Sequence, residues 1–304
     1  MKILITGATG LVGKKLIKEL LLQGYLDLNI LTRNKSKGSS TFGNSVKSFE
    51  WNVESNFIEP EALNNVDIIV HLAGENIANG RWTEKRKKEI LDSRTKSTKL
   101  LLEEIQKKPA HPKKFISSSA VGIYGETKDH FADTDSTRGD DFLSFVCQEW
   151  EKNLLNSPIK DMEKICFRTG VVLSKDGGAL VKMLPPFYLG AGGVIGSGKQ
   201  YMSWIHIDDL IAQIIFLIKD QTTKSIYNAV APKAVTNYEF TKTLGKVIHR
   251  PTIIPIPRFG LKILFGEMSE MLLSGQRVQP KEFLEAGFVF KYPTLDEALK
   301  NLLT

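Results

Sequence analysis

From Ile3 to Gly13 the chain reads Ile-Leu-Ile-Thr-Gly-Ala-Thr-Gly-Leu-Val-Gly, an apolar run that leads into three evenly spaced glycines. Apolar residues then recur as far as Leu22 at the spacing of a helix face, so the stretch predicts a strand, a tight turn and a helix. In such a turn the first glycine allows the reversal, the second lets the backbone approach a diphosphate, and the third lets the helix pack closely. Unpaired N–H groups at the start of the helix favour an anion. The sequence therefore predicts a dinucleotide-binding site formed by Gly7, Thr9, Gly10, Leu11, Val12 and Gly13.

The residues after the next predicted strand, Leu28 to Thr32, indicate which dinucleotide is bound. At about twenty residues beyond the glycine turn, an acidic side chain would hold the ribose 2′-hydroxyl of NAD. No acidic residue follows this strand; Arg33 and Lys35 do. Arginine forms paired hydrogen bonds with phosphate oxygens. We therefore expect Arg33 to contact a 2′-phosphate, with Lys35 or Lys37 adding charge and Thr32 also binding the cofactor, so that NADP is the expected cofactor and NAD the less favoured one.

Apolar runs alternate with helical patterns along most of the chain. Further strands are predicted at Val46 to Trp51, Val66 to Leu72, Lys114 to Ser118, Lys164 to Leu173 and Ser225 to Val230. Helices are predicted at Thr83 to Lys107, Asp141 to Asn156 and Ile207 to Ile218. This alternation predicts an α/β fold with a Rossmann-type, doubly wound parallel sheet.

The remaining segments differ in composition from the alternating part. Glycine and proline are dense from Gly177 to Gly198, which indicates loops, and helical patterns reappear at Tyr238 to Ile248 and Leu295 to Leu302. We therefore assign 1–173 and 203–230 to a nucleotide-binding domain, and 174–202 and 231–304 to a smaller C-terminal lobe that binds substrate.

Composition excludes several classes of protein. Apolar residues make up 42% and charged residues 25% of the 304 positions, as in ordinary globular proteins, and no apolar run is long enough to span a membrane. The net charge of +7 comes without a nucleic-acid-binding motif, and the densest basic run, Lys85 to Lys88, falls on a predicted helix whose face would be solvated. Cys147 and Cys166 form neither a disulfide framework nor a metal-binding pattern. We expect a cytoplasmic protein without a metal site, without nucleic-acid or membrane partners.

Several short motifs together resemble a known family. Leu72-Ala73-Gly74, the stretch Ser117 to Gly125 and the stretch Trp204 to Asp209 resemble the extended and atypical short-chain dehydrogenase/reductases. More narrowly, a second set resembles the atypical "epimerase family" branch, which is related to nucleoside-diphosphate-sugar epimerases and has a C-terminal domain of unassigned role. These motifs are Gly74 to Ile77, Arg81 to Thr83, Ser93-Arg94, Cys147 to Glu151 and Gly287 to Pro293. The resemblance implies that Leu72, Ala73 and Gly74 lie against the cofactor and that Ser119 lies beside the nicotinamide and the substrate.

The catalytic pair of typical family members is missing. Those members have a tyrosine and, four residues later, a lysine on the helix after the serine strand; here Cys147 and Glu151 occupy the two positions. Glutamate reverses the charge of lysine, so the usual lowering of a neighbouring pKa cannot be assumed. Tyr124 and Lys128 have the same spacing but follow Ser119 too closely to be the family pair. The proton-handling group is left open among Cys147, Glu151, Tyr124 and a water held by Ser119.

Two functions follow from these observations. One is an NADP-dependent oxidoreductase or epimerase that acts on a hydroxyl or carbonyl carbon of a polar substrate, for which a nucleotide sugar is a candidate. The other is a non-catalytic sensor or scaffold that binds NADP(H), because a fold outlives the chemistry it once carried. For His206 we expect a packing role, and the sequence leaves monomer and homodimer open.

Overall fold

The computed structural model describes residues 1–219 and 224–304. The strands are β1 (Ile3–Thr6), β2 (Leu28–Thr32), β3 (Lys47–Asn52), β4 (Phe57–Ile58), β5 (Ile68–His71), β6 (Lys114–Ala120), β7 (Phe131–Ala132), β8 (Glu163–Thr169), β9 (Val171–Leu173), β10 (Tyr201–Met202), β11 (Trp204–His206), β12 (Ile226–Ala229), β13 (Val235–Thr236) and β14 (Arg277–Val278). The helices are α1 (Leu11–Leu22), α2 (Lys35–Phe42), α3 (Glu84–Gln106), α4 (Phe142–Leu155), α5 (Gly178–Tyr188), α6 (Ile207–Lys219), α7 (Asn237–Val247), α8 (Arg258–Phe265), α9 (Glu270–Leu273), α10 (Lys281–Glu285) and α11 (Leu295–Leu303).

The main sheet has eight strands in the order β12-β8-β6-β5-β1-β2-β3-β4. Every pair of neighbours is parallel except β3 and β4. The winding direction reverses at β1, which has β2 on one side and β5 on the other. Ligands of doubly wound sheets bind beyond the carboxyl ends of the strands at this reversal, which is where the glycine turn lies. The predicted Rossmann-type fold is confirmed.

Two apolar layers enclose the sheet, one on each face. Ile5 packs with Leu16 of α1 and Ile214 of α6, whereas its neighbour Leu4 packs with Leu101 of α3. Successive residues of a strand point to opposite faces, so a strand covered on both sides is apolar throughout. This is why the short apolar runs predicted the strands well.

A third apolar cluster forms the core of the smaller lobe. It includes Leu180 and Phe187 of α5, Phe240 and Leu244 of α7, and Leu299 of α11. Leu173 and Trp204, which the predicted boundaries assign to the nucleotide-binding domain, pack in this cluster as well. The exact division of the chain stays a prediction.

The single strand predicted from Lys164 to Leu173 is wrong, because the chain changes sheets at Gly170. The Gly170 N–H donates to the Ala229 carbonyl of the main sheet, and the next N–H, of Val171, donates to the Ser203 carbonyl. β9 then pairs with β11 in a separate two-stranded sheet. A Cβ at Gly170 would lie 2.5 Å from the Ser203 carbonyl oxygen, so only glycine lets the two segments approach this closely.

The loop predicted from Gly177 to Gly198 is wrong in its first half, where the chain forms α5. This helix contains Pro185 and Pro186, which are part of the glycine- and proline-dense composition that indicated loops. Burial of one apolar face offsets the loss of backbone hydrogen bonds, and that face is formed by Leu180, Leu184 and Phe187.

Candidate active site

The turn after β1 is built for close backbone contact. Gly7 has a φ of +66°, and a Cβ there would lie 2.7 Å from the Leu72 carbonyl carbon. A Cβ at Gly13 would lie 2.4 Å from the Gly7 carbonyl oxygen, so α1 packs directly on the turn. Gly10 is the N-cap of α1 and supplies no capping side chain, and the first turn of α1 has no acidic residue. The N–H groups of that turn can therefore receive an anion. Partly exposed around the turn are Thr9, Leu11 and Val12.

A buried histidine holds the two strand ends that meet at this turn. Thr6 Oγ1 accepts the N–H groups of Leu72 (3.1 Å) and Ala73 (3.2 Å), so its own proton goes to Nδ1 of His71, 2.7 Å away. The other ring nitrogen lies 3.1 Å from Ser97 Oγ. Burial lowers the pKa of His71 to about 3, so the ring is neutral at physiological pH. Our sequence reasoning missed this support, although a histidine at the end of a buried strand was its signal.

The carboxyl end of β2 presents Arg33 to solvent, with 83% of its side chain exposed. Its Nη1 lies 3.6 Å from Oε1 of Glu75, and Oε2 of Glu75 lies 3.5 Å from Nη2 of Arg86. A carboxylate does reach the end of β2, but it comes from the loop after β5, just beyond the exposed Gly74. Sequence position alone could not indicate this contact.

The other residues expected beside Arg33 serve the start of α2. Thr32 Oγ1 donates to the Asn34 carbonyl, and Asn34 Oδ1 accepts the Lys37 N–H as the N-cap of α2. Lys35 donates to both carboxylate oxygens of Glu59, at 2.9 and 3.0 Å. The charge of Lys35 is thus matched by a carboxylate, whereas the Arg33 guanidinium is exposed at the carboxyl end of β2.

A polar row crosses β6, β8 and β12 of the main sheet. Ser119 of β6, Arg168 of β8 and Asn228 of β12 are register partners on three neighbouring strands. All three are buried, with exposures of 2%, 1% and 0%. We did not predict Arg168 or Asn228. A charged residue in the middle of an apolar strand was the available signal, because such a residue is rarely buried unless it is paired.

Glu151 of α4 covers this row and neutralises Arg168. Arg168 donates from Nε to Oε1 and from Nη2 to Oε2 of Glu151, each at 2.8 Å. Burial alone would lower the pKa of Arg168, but the hydrogen bonds and charge of Glu151 outweigh burial and raise it. Ser119 Oγ donates to Oε1 of the same carboxylate at 2.7 Å. The lone pairs of Ser119 are therefore left to accept a hydrogen bond from another group.

Tyr124 joins the network from the turn after β6. Its hydroxyl accepts from Nη1 of Arg168 at 2.8 Å and donates to Oδ1 of Asn228 at 2.7 Å. Burial raises the pKa of Tyr124, and the charge of Arg168 only partly opposes this effect. Tyr124 is thus a neutral phenol that holds Arg168 on the side away from Glu151.

Cys147 and His206 are both buried. Cys147 lies one turn before Glu151 on α4 and packs with Val121 and Ile123. Burial, with a smaller effect from the charge of Glu151, raises the pKa of Cys147 to about 12, so it is a neutral thiol. His206 accepts the Asp208 N–H on Nδ1, and its ring centroid lies 3.9 Å from that of Tyr292, as expected for a packing role.

The structure brings Ser119, Tyr124, Glu151 and Cys147 together around Arg168. Across 1–219 and 224–304, no helix is long and apolar enough to cross a membrane. In the same two ranges, His, Cys, Asp and Glu side chains do not form a group able to hold a metal ion.

Two family models and a relative over the whole chain match this sequence. The model of the NAD dependent epimerase/dehydratase family matches residues 3–142, and that of the domain of unknown function DUF1731 matches residues 256–302. The epimerase family protein SDR39U1 homolog, chloroplastic, of Arabidopsis thaliana is 39% identical over the whole chain and 87% of its own length.

Two solved structures are similar in sequence as well as in fold. Human epimerase family protein SDR39U1, crystallised with NADPH, has a TM-score of 0.88 and 35% identity, over 99% of both chains. A nucleoside-diphosphate sugar epimerase from Corynebacterium glutamicum has a TM-score of 0.79 and 30% identity, over 100% of this chain and 58% of its own.

Proposed function

We propose that this chain, which belongs to the NAD dependent epimerase/dehydratase family, is an NADP(H)-binding oxidoreductase or epimerase that acts on a hydroxyl or carbonyl carbon of a polar substrate. The observation that carries the proposal is the arrangement of Ser119. Its hydroxyl proton is directed to the Glu151 carboxylate, so its lone pairs can receive the hydroxyl of a substrate.

The glycine turn fits a dinucleotide. Side chains at Gly7 or Gly13 would clash with the backbone that shapes the turn, and the N–H groups at the start of α1 would meet the diphosphate. Arg33 would take the 2′-phosphate, and Leu72, Ala73 and Gly74 would line the opposite wall. The NADPH in the human relative supports NADP over NAD. When bound, the nicotinamide would supply the hydride chemistry.

The network supplies a path for the proton. When a substrate hydroxyl gives up its proton, Ser119 Oγ accepts it while passing its own proton to Glu151 Oε1. Arg168 holds the Glu151 carboxylate in place, because it donates to both carboxylate oxygens. Ser119 and Glu151 thus take the roles of acceptor and base, and Tyr124 positions Arg168. Cys147 is a neutral thiol and contributes only bulk to the site.

A second candidate is a non-catalytic NADP(H)-binding sensor or scaffold. One observation favours it: α4 has Cys147 and Glu151 where typical relatives have a tyrosine and a lysine. The two candidates share the cofactor site and differ only in whether the polar row moves protons.

For the substrate we propose a nucleotide sugar, because the Corynebacterium relative is named for that class. The two free cysteines agree with a reducing compartment, and we propose that the protein acts in the cytoplasm, as a monomer or a homodimer without nucleic-acid or membrane partners.

A turnover assay separates the two candidates. Purified protein loaded with NADP+ or NADPH is mixed with a panel of nucleotide sugars and small carbonyl compounds, and nicotinamide fluorescence and product formation are followed. In Ser119→Ala we expect turnover to fall about 100-fold or more, with the Kd for NADPH within about threefold of wild type. The matched control is Ser117→Ala, two residues earlier on β6, whose hydroxyl donates to the Ser118 carbonyl. Tight NADPH binding without turnover of any panel member would establish the sensor instead.

A further inference from the structure

Glu75 forms an ion pair with Arg33, the arginine that the proposed cofactor also requires. Its carboxylate lies between Arg33, at 3.6 Å, and Arg86, at 3.5 Å. Arg33 is the side chain assigned above to the 2′-phosphate. A phosphate that approaches Arg33 therefore also approaches the negative charge of Glu75.

The position of Glu75 is fixed by α3. Its N–H donates to Ser93 Oγ, and its carbonyl accepts from Nη2 of Arg94, both at 3.1 Å. Because the backbone is held on both sides, the carboxylate stays at the edge of the crevice.

The two arginines differ in how firmly they are held. Arg86 is 16% exposed and donates from Nη1 to Glu89 at 2.9 Å and from Nη2 to the Asn76 carbonyl at 2.6 Å. Arg33 is 83% exposed, and Glu75 is its ion-pair partner. Arg86 thus holds Glu75 in place, and Arg33 is the partner free to turn toward a ligand.

We propose that Glu75 is a specificity-determining residue that limits the preference for NADPH over NADH, an inference that rests on the proposed function. Its carboxylate competes with the 2′-phosphate for Arg33. Toward a cofactor without that phosphate, the same carboxylate accepts a hydrogen bond from the 2′-hydroxyl. The protein then combines an arginine that favours NADP with a carboxylate that favours NAD, contributed by a different loop.

Titration of NADPH and NADH into wild type, Glu75→Gln and Glu89→Gln tests this, with Kd measured by nicotinamide fluorescence and by calorimetry. Glu89 is the matched control, because it pairs with Arg86 from the other side. In Glu75→Gln we expect NADPH to bind about threefold to tenfold more tightly, the size of one nearby repulsive charge at an exposed site. NADH should bind equally or more weakly, and the gain for NADPH should shrink in 0.5 M salt, where the Debye length falls to about 4 Å.

The outcomes separate the two proposals. Wild type that binds neither dinucleotide overturns the proposed function, and this inference with it. The second outcome is that wild type binds NADPH, but the ratio of the Kd for NADH to the Kd for NADPH is the same or lower in Glu75→Gln than in wild type. This outcome overturns only the role of Glu75. An equal gain in NADPH affinity in Glu89→Gln would also overturn it, because the effect would then be one of general charge.

Discussion

Replacing Arg168 by methionine should destabilise the protein more than the loss of any exposed ion pair. The substitution keeps most of the side-chain volume but leaves the Glu151 carboxylate, 2% exposed, with Ser119 as its hydrogen-bond donor in place of three donated bonds. Stranding one charge of a buried pair costs about 3–5 kcal/mol. With an unfolding entropy of about 2.1 cal/mol/K per residue, a chain of this length should lose roughly 5–8 °C in Tm.

The double variant Arg168→Met/Glu151→Leu is the decisive comparison. It removes both charges, so the penalty of an unpaired buried carboxylate disappears, and replacement of a buried pair by apolar residues is often neutral. Ser119 and Tyr124 each lose one hydrogen bond, at about 1 kcal/mol apiece. The double variant should therefore unfold only about 2–4 °C below wild type, above the Arg168→Met single variant.

Differential scanning calorimetry of wild type, both single variants and the double variant measures the coupling. Lys262→Met is the control, because it breaks the exposed pair with Glu270, whose nitrogen and oxygen lie 3.4 Å apart. That variant should change Tm by less than about 1.5 °C. The reasoning fails if Arg168→Met behaves like this control, or if the double variant is at least as unstable as the two single effects added together.

Two further predictions concern the cofactor turn and pH. In Gly13→Ala the new Cβ would lie 2.4 Å from the Gly7 carbonyl oxygen, so we expect a loss of about 1–3 kcal/mol in stability and at least tenfold weaker NADPH binding by fluorescence titration. The control is Gly260→Ala, whose Cβ would come no closer than 3.7 Å to a neighbour and which should reduce neither stability nor NADPH binding. The buried rings of His71 and His206, with pKa values lowered by burial to about 3 and about 4, take up protons on unfolding, so stability should be complete above pH 6.5 and fall as the pH drops below it. The free energy of unfolding, measured with urea, should change less steeply with pH between pH 6 and 5 in His71→Gln than in wild type, by about 1 kcal/mol per pH unit. The same pH dependence in both proteins would contradict a neutral buried His71.

Local sequence predicted those parts of the fold that local packing decides. β1, β2 and β5 are mainly apolar because both of their faces are covered, and α1 and α6 carry apolar stripes that match those faces. The break at Gly170 depends on a segment that is distant in sequence, since the residue that approaches Gly170 is Ser203. The prolines of α5 were misread for the same reason, because burial against the smaller lobe outweighs their low helix propensity.

The candidate site likewise contains one part formed by neighbours in sequence and another formed by residues distant in sequence. The glycine turn is continuous in sequence, so its spacing alone predicted its geometry. By contrast, Arg168 meets Ser119 and Asn228 through the register of three strands, and Glu75 meets Arg33 through the position of α3. Such contacts depend on the assembled sheet and helices, and no local pattern encodes them.

The buried ion pair also bears on the choice between enzyme and sensor. A pair such as Arg168 and Glu151 adds little stability compared with apolar residues of the same size, because desolvation offsets the attraction between the charges. Binding of a dinucleotide at the glycine turn does not need it either. What the pair does is direct the Ser119 hydroxyl to the Glu151 carboxylate, at the position where typical relatives have a lysine cation. That arrangement leaves the lone pairs of Ser119 open to the hydroxyl of a substrate, which a sensor of the dinucleotide alone would not require, and it is the physical reason to propose the enzyme rather than the sensor.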